Sequence, residues 1–521
     1  MLIGYTMKQQ AIIGIDIGTT STKAVAFNMQ ARPLCRFAVE YPIINTKPAF
    51  AEQDPALVFD AVLTSLKTVV QLLTEGDFEL LGVSFSSAMH SLIAMNAEGL
   101  PLTNCIIWAD ARSIKQATNL KESIIGRSIY LYTGTPLHPM SPLPKICWLR
   151  EEDPDLFKKV SKFIGIKEYV FFRLFGEYKI DYSLASATGL FNIFDLDWHP
   201  DALEIAGVTP AHLSDPVPTS YTFRNMNKEF AARIGVAPEL AFVIGASDGC
   251  LANLGSDAVC EGDAVVTIGT SGAIRVTANQ PATDLKERIF SYVLTPQKYV
   301  LGGAVNNGGI VLQWFRDNFY EAESGVAAKT DEDIFELLNT EAASVRPGSE
   351  GLIFLPYLLG ERSPHWNAAA RACFFGVHYT HRRPHFLRAL MEGIIFGIYS
   401  VGEALEQTMG PVKVIYANGG FTHSSLWVQV LADVFNVEVR LTNTAEGSAL
   451  GAAILGMCVL GKLEKLEDAS QLLTVEKTIT PDPETHELYM QSYDLFKALY
   501  PKLEDSFIRL AQLRSIDKPK V

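Results

Sequence analysis

The chain has 521 residues, of which 48% are hydrophobic and 20% charged, and its 58 acidic and 44 basic residues give a net charge of −14. This length is too great for a single hydrophobic core, and the hydrophobic content excludes an intrinsically disordered chain. The acidic balance argues against nucleic acid or an anionic membrane as partner, because phosphate groups are bound through clustered Lys and Arg, so the expected partner is a small molecule.

Cysteine usage and the N-terminal residues predict a cytoplasmic protein. The seven cysteines form no C-x-x-C pair and have no histidine at zinc-ligand spacing, which is typical of reduced thiols. The opening MLIGYTMKQQ lacks the basic and apolar regions of a signal peptide. No uninterrupted apolar run reaches the roughly 18 residues of a membrane span. We therefore expect no membrane partner.

Two segments, about half the chain apart, share a pattern of strand, short turn and strand. The first turn is Gly18 to Ser21 between the apolar runs 11–15 and 23–27, and the second is Gly269 to Gly272 between 264–268 and 273–277. A turn of glycine and hydroxyl residues presents backbone amides and hydroxyls to an anion such as a nucleotide phosphate. Asp16, at the end of the first strand, can hold magnesium through water. An ordinary hairpin is the alternative for either copy alone, but the repetition favours two loops that grip one polyphosphate.

The repeat predicts two α/β domains that face each other across a cleft, with a boundary near residues 249–257. No Pro/Ser-rich linker marks that boundary. Helical periodicity is found in residues 55–73, 384–405, 424–435 and 483–513. The first of these helices has a capping residue in Asp54 and a proline at its first position, Pro55.

Two segments in the first half of the chain combine aromatic, thioether and polar side chains after apolar runs. They are residues 85–91 and 108–112, and their candidate ligand-binding residues are Met89, His90, Trp108, Asp110 and Arg112. This mixture suits a polyhydroxylated ligand. Each residue taken singly is more often an ordinary core or surface residue.

Two further turns follow apolar stretches. Asp248 is a lone carboxylate among small residues near the end of the apolar stretch 244–249. Phosphoryl transfer to an alcohol requires a base near the attacking hydroxyl, and Asp248 fits that role. The alternative is that Asp248 only caps the following helix. Asn418-Gly419-Gly420-Phe421 follows the strand-like residues 412–416, where flat adenine can lie against the backbone.

Together these motifs resemble the FGGY family of carbohydrate kinases, which belongs to the larger actin, sugar-kinase and Hsp70-like ATPase fold. The resemblance runs from about residue 10 to residue 460, and residues 140–149, 355–364 and 372–393 carry its most specific parts. It implies an α/β, two-domain actin-like ATPase (ribonuclease H-like) fold with the active site in the interdomain cleft. The implied domains are residues 8–252, with the sugar site and first phosphate hairpin, and residues 253–521, with the nucleotide site, second phosphate hairpin and C-terminal helix.

The resemblance also implies a role for each candidate residue. Asp248 would accept the proton of the sugar hydroxyl, and Asp16 would act on the magnesium nucleotide. Met89, His90, Trp108, Asp110 and Arg112 fall where the family contacts its sugar or lines the sugar pocket. The residues expected around the nucleotide and its phosphates are Thr19, Thr20, Ser21, Lys23, Gly269, Thr270, Gly309, Gln313, Gly420 and Ser424. ATP and Mg²⁺ are therefore the implied cofactors.

Within this family, residues 86–91, 108–113 and 133–142 look most like those of members that phosphorylate gluconate. Xylulose kinases usually carry Gln-Met-His-Gly and Trp-Asn-Asp in the first two segments, and Ala88, Ser91 and Ala109 depart from that pattern. Glycerol kinases carry an Arg-Glu pair in place of Met89-His90. The implied reaction is transfer of the ATP γ-phosphate to the C6 hydroxyl of D-gluconate, with xylulose or another polyol as the alternative acceptor.

Gluconate is an anion, so its site needs a cation or amide cluster, for which Arg112, His90 and His138 are open candidates. Two other classes of function are alternatives: an actin-like or Hsp70-like ATPase that drives partner binding, and a non-catalytic sugar-binding regulator. The first leaves residues 89–90 and 108–112 unexplained, and the second leaves Asp16 and Asp248 without a task. Packing of exposed helices in a homodimer is left open.

Overall fold

The computed structural model describes residues 8–321, 323–324, 334–442 and 446–516. The chain forms two compact units. Unit 1 comprises the residues up to Glu261 together with 277–301 and 444–474, and unit 2 comprises 262–276, 302–443 and 475–521. Both units are therefore assembled from segments that are far apart in the sequence.

Strands and helices alternate along the described chain. The strands are β1 (Gln9–Ile17), β2 (Ser21–Asn28), β3 (Pro33–Glu40), β4 (Glu52–Gln53), β5 (Phe78–Ser87), β6 (Ile93–Met95), β7 (Cys105–Ile106), β8 (Lys162–Ile164), β9 (Lys179–Asp181), β10 (Phe191–Asn192), β11 (Asp197–Trp198), β12 (Asp215–Val217), β13 (Thr222–Phe223), β14 (Ala241–Ser247), β15 (Asp263–Ile268), β16 (Gly272–Ala278), β17 (Phe290–Thr295), β18 (Lys298–Val305), β19 (Ile353–Leu355), β20 (Cys373–Phe375), β21 (Val414–Asn418), β22 (Glu438–Thr442) and β23 (Val475–Ile479). The helices are α1 (Pro55–Glu75), α2 (Ile114–Lys121), α3 (Ile124–Thr133), α4 (Pro142–Glu152), α5 (Pro154–Phe157), α6 (Ile166–Phe175), α7 (Tyr182–Ser186), α8 (Pro200–Ala206), α9 (Lys228–Ile234), α10 (Asp248–Leu254), α11 (Gly309–Phe319), α12 (Ile334–Ala343), α13 (Arg383–Met409), α14 (Ser425–Phe435), α15 (Gly447–Val459) and α16 (Pro483–Ile516).

Unit 1 is built on a six-stranded sheet with the order β13-β14-β5-β1-β2-β3. Strands β14, β5 and β1 run parallel, whereas β2 and β3 continue the sheet as an antiparallel meander. The parallel strands are nearly continuous apolar runs because both of their faces are covered. Helix α1 packs on β1, β2, β3 and β5, and α15 packs on β1, β2, β5 and β14.

Helix α1 begins as the sequence predicts, with Asp54 accepting a hydrogen bond from the Ala56 amide at 2.8 Å and Pro55 in the first turn. By length and apolar composition alone it is long enough to cross a membrane, and it is the one helix of the described residues for which this is true. More than half of that stretch is buried in the protein. A core helix passes the same test, so this is weak evidence for a membrane span.

Unit 2 contains the strands β15, β21, β22 and β23 in this sheet order, and most of β16, which pairs with β15, also belongs to it. Strands β15, β21 and β22 run parallel, and β16 and β23 are antiparallel to their neighbours β15 and β22. Helix α13 packs against α11, α12, α14 and α16. Both predicted strand-turn-strand repeats are confirmed, as β1–β2 and β15–β16, and in each the first strand also pairs in parallel with a later strand.

The other predicted helices are confirmed with small changes at their ends. Residues 384–405 lie within α13, and residues 483–513 lie within α16. Ser424 is not the first residue of its helix but the N-cap of α14, whose Oγ accepts a hydrogen bond from the Trp427 amide at 3.1 Å. All seven cysteines are free thiols.

Candidate functional site

Strand register brings two candidate carboxylates to one edge of the unit 1 sheet. Asp16 on β1 is paired with Ser86 on β5, and the same Ser86 is paired with Ala246 on β14. Asp248 follows Ala246 by two residues. Because the three strands are parallel, their carboxyl ends meet at the same edge, which is where ligands bind in open α/β sheets. Met89 and His90 leave this edge from the end of β5.

Asp16 lies in a sheltered position. The Ser86 hydroxyl donates a hydrogen bond of 2.8 Å to its Oδ1. Burial of the carboxylate raises the pKa of Asp16, and the Ser86 hydrogen bond and the positive charge of Lys23 oppose that rise. The position therefore suits a carboxylate that gains a cation when ligand binds.

Asp248 is the first residue of α10, and Ser247 is the N-cap of that helix. The Ser247 hydroxyl accepts a hydrogen bond from the Cys250 amide at 3.4 Å. Capping therefore does not account for Asp248, and the capping alternative from the sequence is wrong. The Asp248 Oδ1 accepts a hydrogen bond from the Gly249 amide at 2.7 Å.

A buried ion pair fixes the strand that leads to Asp248. Lys167 pairs with Asp181 at 2.7 Å, with almost no exposure of either side chain, and its ammonium donates to the Ala246 carbonyl at 3.1 Å. Burial lowers the pKa of Lys167, whereas Asp181 opposes that shift. Because a buried pair is costly to break, the end of β14 is held in one place.

The first hairpin turn is held by side chains of unit 1. The Gly18 amide donates to the Ser21 carbonyl at 2.9 Å, which closes the turn. The Tyr41 hydroxyl donates to the Gly18 carbonyl at 2.8 Å, and the Gln53 amide donates to the Thr19 carbonyl at 2.6 Å. The Thr20 carbonyl accepts a hydrogen bond from the Tyr41 amide. Three turn carbonyls thereby have hydrogen-bond partners within unit 1.

Lys23 forms an ion pair that sequence reasoning missed. Its ammonium lies 3.1 Å from Glu446, and Arg36 lies 3.0 Å from the other oxygen of that carboxylate. Glu446 immediately precedes α15, more than 400 positions from Lys23. No pattern in the sequence connects two residues that are so far apart.

Trp108 connects the sugar candidates to the first hairpin. Its indole Nε1 donates a hydrogen bond of 2.9 Å to the Thr19 hydroxyl, and 40% of the residue remains exposed. A partly exposed aromatic ring that is fixed at one end by a hydrogen bond offers a rigid face to a sugar.

Asp110 and Arg112 form a buried charge cluster. Asp110 accepts hydrogen bonds from the Ala51 amide at 2.7 Å and from the Arg112 guanidinium at 2.7 to 3.0 Å. The same guanidinium pairs with Glu52 and lies over the Phe50 ring at 3.7 Å. Two carboxylates therefore balance the charge of Arg112, so this side chain is better suited to shaping a pocket than to capturing a substrate carboxylate.

His90 has an unusual backbone conformation, with φ of 67°, in the left-handed region that favours glycine. Its Nδ1 lies 2.8 Å from the Ala187 carbonyl, and its Nε2 lies 3.4 Å from the Tyr292 hydroxyl. Strained residues that the surrounding structure holds in place cluster at functional sites. Met89 beside it is partly buried, and the His138 Nδ1 accepts a hydrogen bond from the Met140 amide at 3.2 Å.

The second hairpin lines a cavity of about 400 Å³ in unit 2. The amides of Gly309 and Ile310, in the first turn of α11, donate to the carbonyls of Gly269 at 2.6 Å and Thr270 at 3.1 Å. The structure brings together in this lining all six nucleotide candidates of unit 2: Gly269, Thr270, Gly309, Gln313, Gly420 and Ser424. The other lining residues are Ile268, Leu312, Phe335, Asn339, Phe421, His423 and Trp427.

Asn339, like His423, is a polar residue of this lining that is not among the candidates chosen from the sequence. It lies on α12, and its Oδ1 accepts a hydrogen bond of 2.7 Å from the Ser424 hydroxyl. Phe335 and Asn339 are one helical turn apart, a spacing that does not distinguish a ligand-facing position from a core position. Only the packing of α12 brings them to the cavity.

This chain is similar over nearly its whole length to known carbohydrate kinases. The FGGY family of carbohydrate kinases matches with its N-terminal domain at residues 11–255 and its C-terminal domain at residues 264–460. A gluconokinase from Bacillus subtilis (strain 168) is 46% identical over 96% of this chain and 97% of its own length. A gluconokinase from Bacillus licheniformis is 45% identical over 98% of this chain and 99% of its own length. A xylulose kinase from Bacillus subtilis (strain 168) is 29% identical over 96% and 99%.

Two solved structures share this architecture across nearly the whole chain. A gluconate kinase from Lactobacillus acidophilus has a TM-score of 0.91 and 34% identity, covering 96% of this chain and 100% of its own. A ligand-bound xylulose kinase from the same organism gives the same values. The similarity to these structures establishes the two-domain sugar-kinase fold. The two structures match this chain equally well, whereas sequence identity is higher to the proteins named gluconokinase than to the one named xylulose kinase.

Proposed function

The chain belongs to the FGGY family of carbohydrate kinases, and from this premise we propose that it transfers the γ-phosphate of ATP to the C6 hydroxyl of D-gluconate. The products are 6-phospho-D-gluconate and ADP. The observation that carries the choice of substrate is the difference in identity, 45 to 46% to relatives named gluconokinase against 29% to one named xylulose kinase. The departures at Ala88, Ser91 and Ala109 from the usual xylulose-kinase pattern support the same choice.

We assign the cavity in unit 2 to ATP. Its volume of about 400 Å³ lies in the range of small-molecule sites, and its apolar lining suits adenine. The second hairpin contributes backbone groups for the phosphates, while the first amides of α11 hold that hairpin in place. This assignment supports a nucleotide role for the lining residues of unit 2, which fall within the range 253–521 expected to bind the nucleotide.

Magnesium fits Asp16. Within the described ranges, no group of three or more His, Cys, Asp or Glu residues is placed to hold a metal ion. Mg²⁺ commonly takes one or two carboxylates together with substrate phosphates and water, so a single carboxylate meets this need. When bound, the ion would neutralise charge on the phosphates.

Asp248 would act as the base. It orients the C6 hydroxyl and accepts its proton as the oxygen attacks phosphorus in line with the departing ADP oxygen. Its place at the carboxyl end of β14, beside the end of β5, puts it at the same sheet edge as the segment that carries Met89 and His90. The buried Lys167–Asp181 pair keeps the strand end from shifting.

The variant Asp248→Asn tests this role. Removal of a general base typically costs about 10²–10⁴ in rate, so phosphorylation should fall by that factor while ADP affinity stays at its original value. A matched control is Asp155→Asn, an exposed aspartate that pairs with Lys158 on the surface. Near-normal turnover of Asp248→Asn in a coupled ADP-release assay would contradict the assignment of Asp248 as the base.

The substrate is tested separately with the unmodified protein. Gluconate, D-xylulose, L-ribulose and glycerol are compared by coupled ADP release at one ATP concentration. We expect the highest kcat/KM with gluconate. A preference for xylulose would replace the substrate and leave the kinase assignment intact, whereas ATP hydrolysis that no polyol stimulates would favour the ATPase alternative.

A further inference from the structure

Lys145 is wholly buried, with 0% exposure, on α4 of unit 1. Its ammonium donates three hydrogen bonds to backbone carbonyls: to His90 at 2.7 Å, to Ile107 at 2.9 Å and to Met140 at 2.7 Å. A lysine ammonium has three N–H groups, so every donor is used. The three acceptors come from three separate segments of the chain.

Each of these segments carries a candidate sugar residue. His90 is itself a candidate, Ile107 immediately precedes Trp108, and Met140 follows His138 by two residues. The bond to the His90 carbonyl also restrains a residue whose left-handed backbone conformation is unfavourable for a non-glycine residue. One side chain therefore joins the parts of the chain that the sugar site needs.

Packing alone does not account for a lysine at this position. In the part of the chain that the structure describes, no carboxylate lies within ion-pairing distance of its ammonium. Burial lowers the pKa of Lys145 to about 7, with the negative charge of Asp110 opposing the shift. An apolar side chain of similar length would fill the space without the cost of burying a cation.

We infer that Lys145 is a positioning residue of the sugar site, whose ammonium holds the segments of His90, Trp108 and His138 in one arrangement. The identity of the sugar rests on the proposed function. The positioning role of Lys145 rests on the three hydrogen bonds and not on which sugar is bound. One experiment can therefore contradict the choice of sugar, and a different experiment can contradict the positioning role.

Lys145→Met keeps the length and apolar volume of the side chain but removes all three bonds, and Lys145→Gln keeps a neutral donor. A misplacement of about 1 Å in a substrate site costs about 10²-fold in rate. We therefore expect kcat/KM for the sugar to fall about 10²-fold in Lys145→Met, through a lower kcat and a higher KM for the sugar, with a smaller loss in Lys145→Gln and an unchanged KM for ATP. Lys162→Met is the matched control, because Lys162 also donates to a backbone carbonyl, that of Leu213, outside these three segments.

The acceptor in these assays is the polyol that the unmodified protein phosphorylates best. If that polyol is not gluconate, the error in the proposed substrate is detected before any Lys145 variant is measured. Equal changes in KM for sugar and ATP, or a melting temperature lowered without any change in sugar KM, would overturn the positioning role.

Amide hydrogen exchange of the unmodified protein provides a test if both variants fail to fold. We expect residues 88–92, 107–111 and 138–141 to open with one common free energy, since one side chain holds all three segments. Three independent opening free energies would contradict the inference.

Discussion

The two strand-turn-strand hairpins have similar sequences and the same place in their sheets, yet different atoms hold them. In unit 1 the side chains of Tyr41 and Gln53 and the backbone amide of Tyr41 donate to the turn carbonyls, whereas in unit 2 the backbone amides of Gly309 and Ile310 do so. The turns also differ in length. Four residues separate the paired Ile17 and Thr22 of the first hairpin, and three separate Ile268 and Gly272 of the second.

The surroundings of the two turns differ in charge as well. Asp16, Lys23 and Glu446 lie around the first turn, whereas an apolar cavity with glycine, serine and amide groups lies beside the second. A repeated local pattern therefore forms two similar loops, and the neighbours of each loop decide its chemistry. In the proposed function the charged residues around the first loop act on the phosphate that is transferred, and the second loop helps to bind the nucleotide.

The variant Asp16→Asn tests this difference and has the largest expected effect. If the first hairpin region handles the charge of the transferred phosphate, kcat should fall by about 10²–10³, the usual cost of losing one electrostatic contact in the transition state. ADP affinity without magnesium should not change, because Asp16 is not among the residues that line the nucleotide cavity. The measurement is coupled ADP release together with calorimetric ADP binding. Asp60→Asn, an exposed aspartate on α1 that pairs with Arg233, is the control and should keep its activity.

A pair of glycine variants sharpens the description of the second hairpin. A methyl at Gly269 would meet no atom within 4 Å, whereas a methyl at Gly309 would lie 2.7 Å from the Gly269 carbonyl oxygen. Gly269→Ala should therefore raise the KM for ATP about tenfold by occupying the cavity, with an unchanged melting temperature. Gly309→Ala should also lose about 1–3 kcal/mol of stability. If both variants melted normally and bound ATP normally, the hairpin would not be part of the nucleotide site.

The bond between Trp108 and Thr19 tests whether the first hairpin and the sugar residues act together. The variants Trp108→Phe and Thr19→Val and their combination form a double-mutant cycle, read as kcat/KM for the sugar. We expect a coupling of about 1 kcal/mol, the net value of one hydrogen bond. Additive effects would show that the two regions act independently.

The smallest predicted effect concerns stability. Burial raises the pKa of Asp16, so the folded chain binds this proton more tightly than the unfolded chain, and the residue destabilises the fold as pH rises above its ordinary value of 3.8. Asp16→Asn should therefore melt a few degrees higher than the unmodified protein at pH 7, since about 1 kcal/mol shifts Tm by roughly 2–4 °C in a domain of this size. The difference should shrink towards pH 4. A lower melting temperature for the variant at pH 7 would contradict the cost of burial.

Local sequence patterns were sufficient for the secondary structure near the site and for many candidate residues. The alternation of apolar residues located both hairpins, and Asp54 and Pro55 located the start of α1. Gly269, Thr270 and Gly420 came from turn patterns, whereas Gly309, Gln313 and Ser424 came from resemblance to a family, and the structure gathers all six in one cavity. Resemblance did not identify Asn339, because α12 has no motif beyond its helical periodicity.

Local sequence specifies the short-range features: turns of small residues, apolar strands, helix caps and the order of motifs that marks the family. Which charges meet depends on the tertiary structure. It paired Lys23 with Glu446, placed Arg112 between two carboxylates and directed the ammonium of Lys145 at three carbonyls. The physical reason is range, because hydrogen-bonding and steric preferences act between neighbours in the chain, whereas the free energy of a charge depends on every group that folding brings near it.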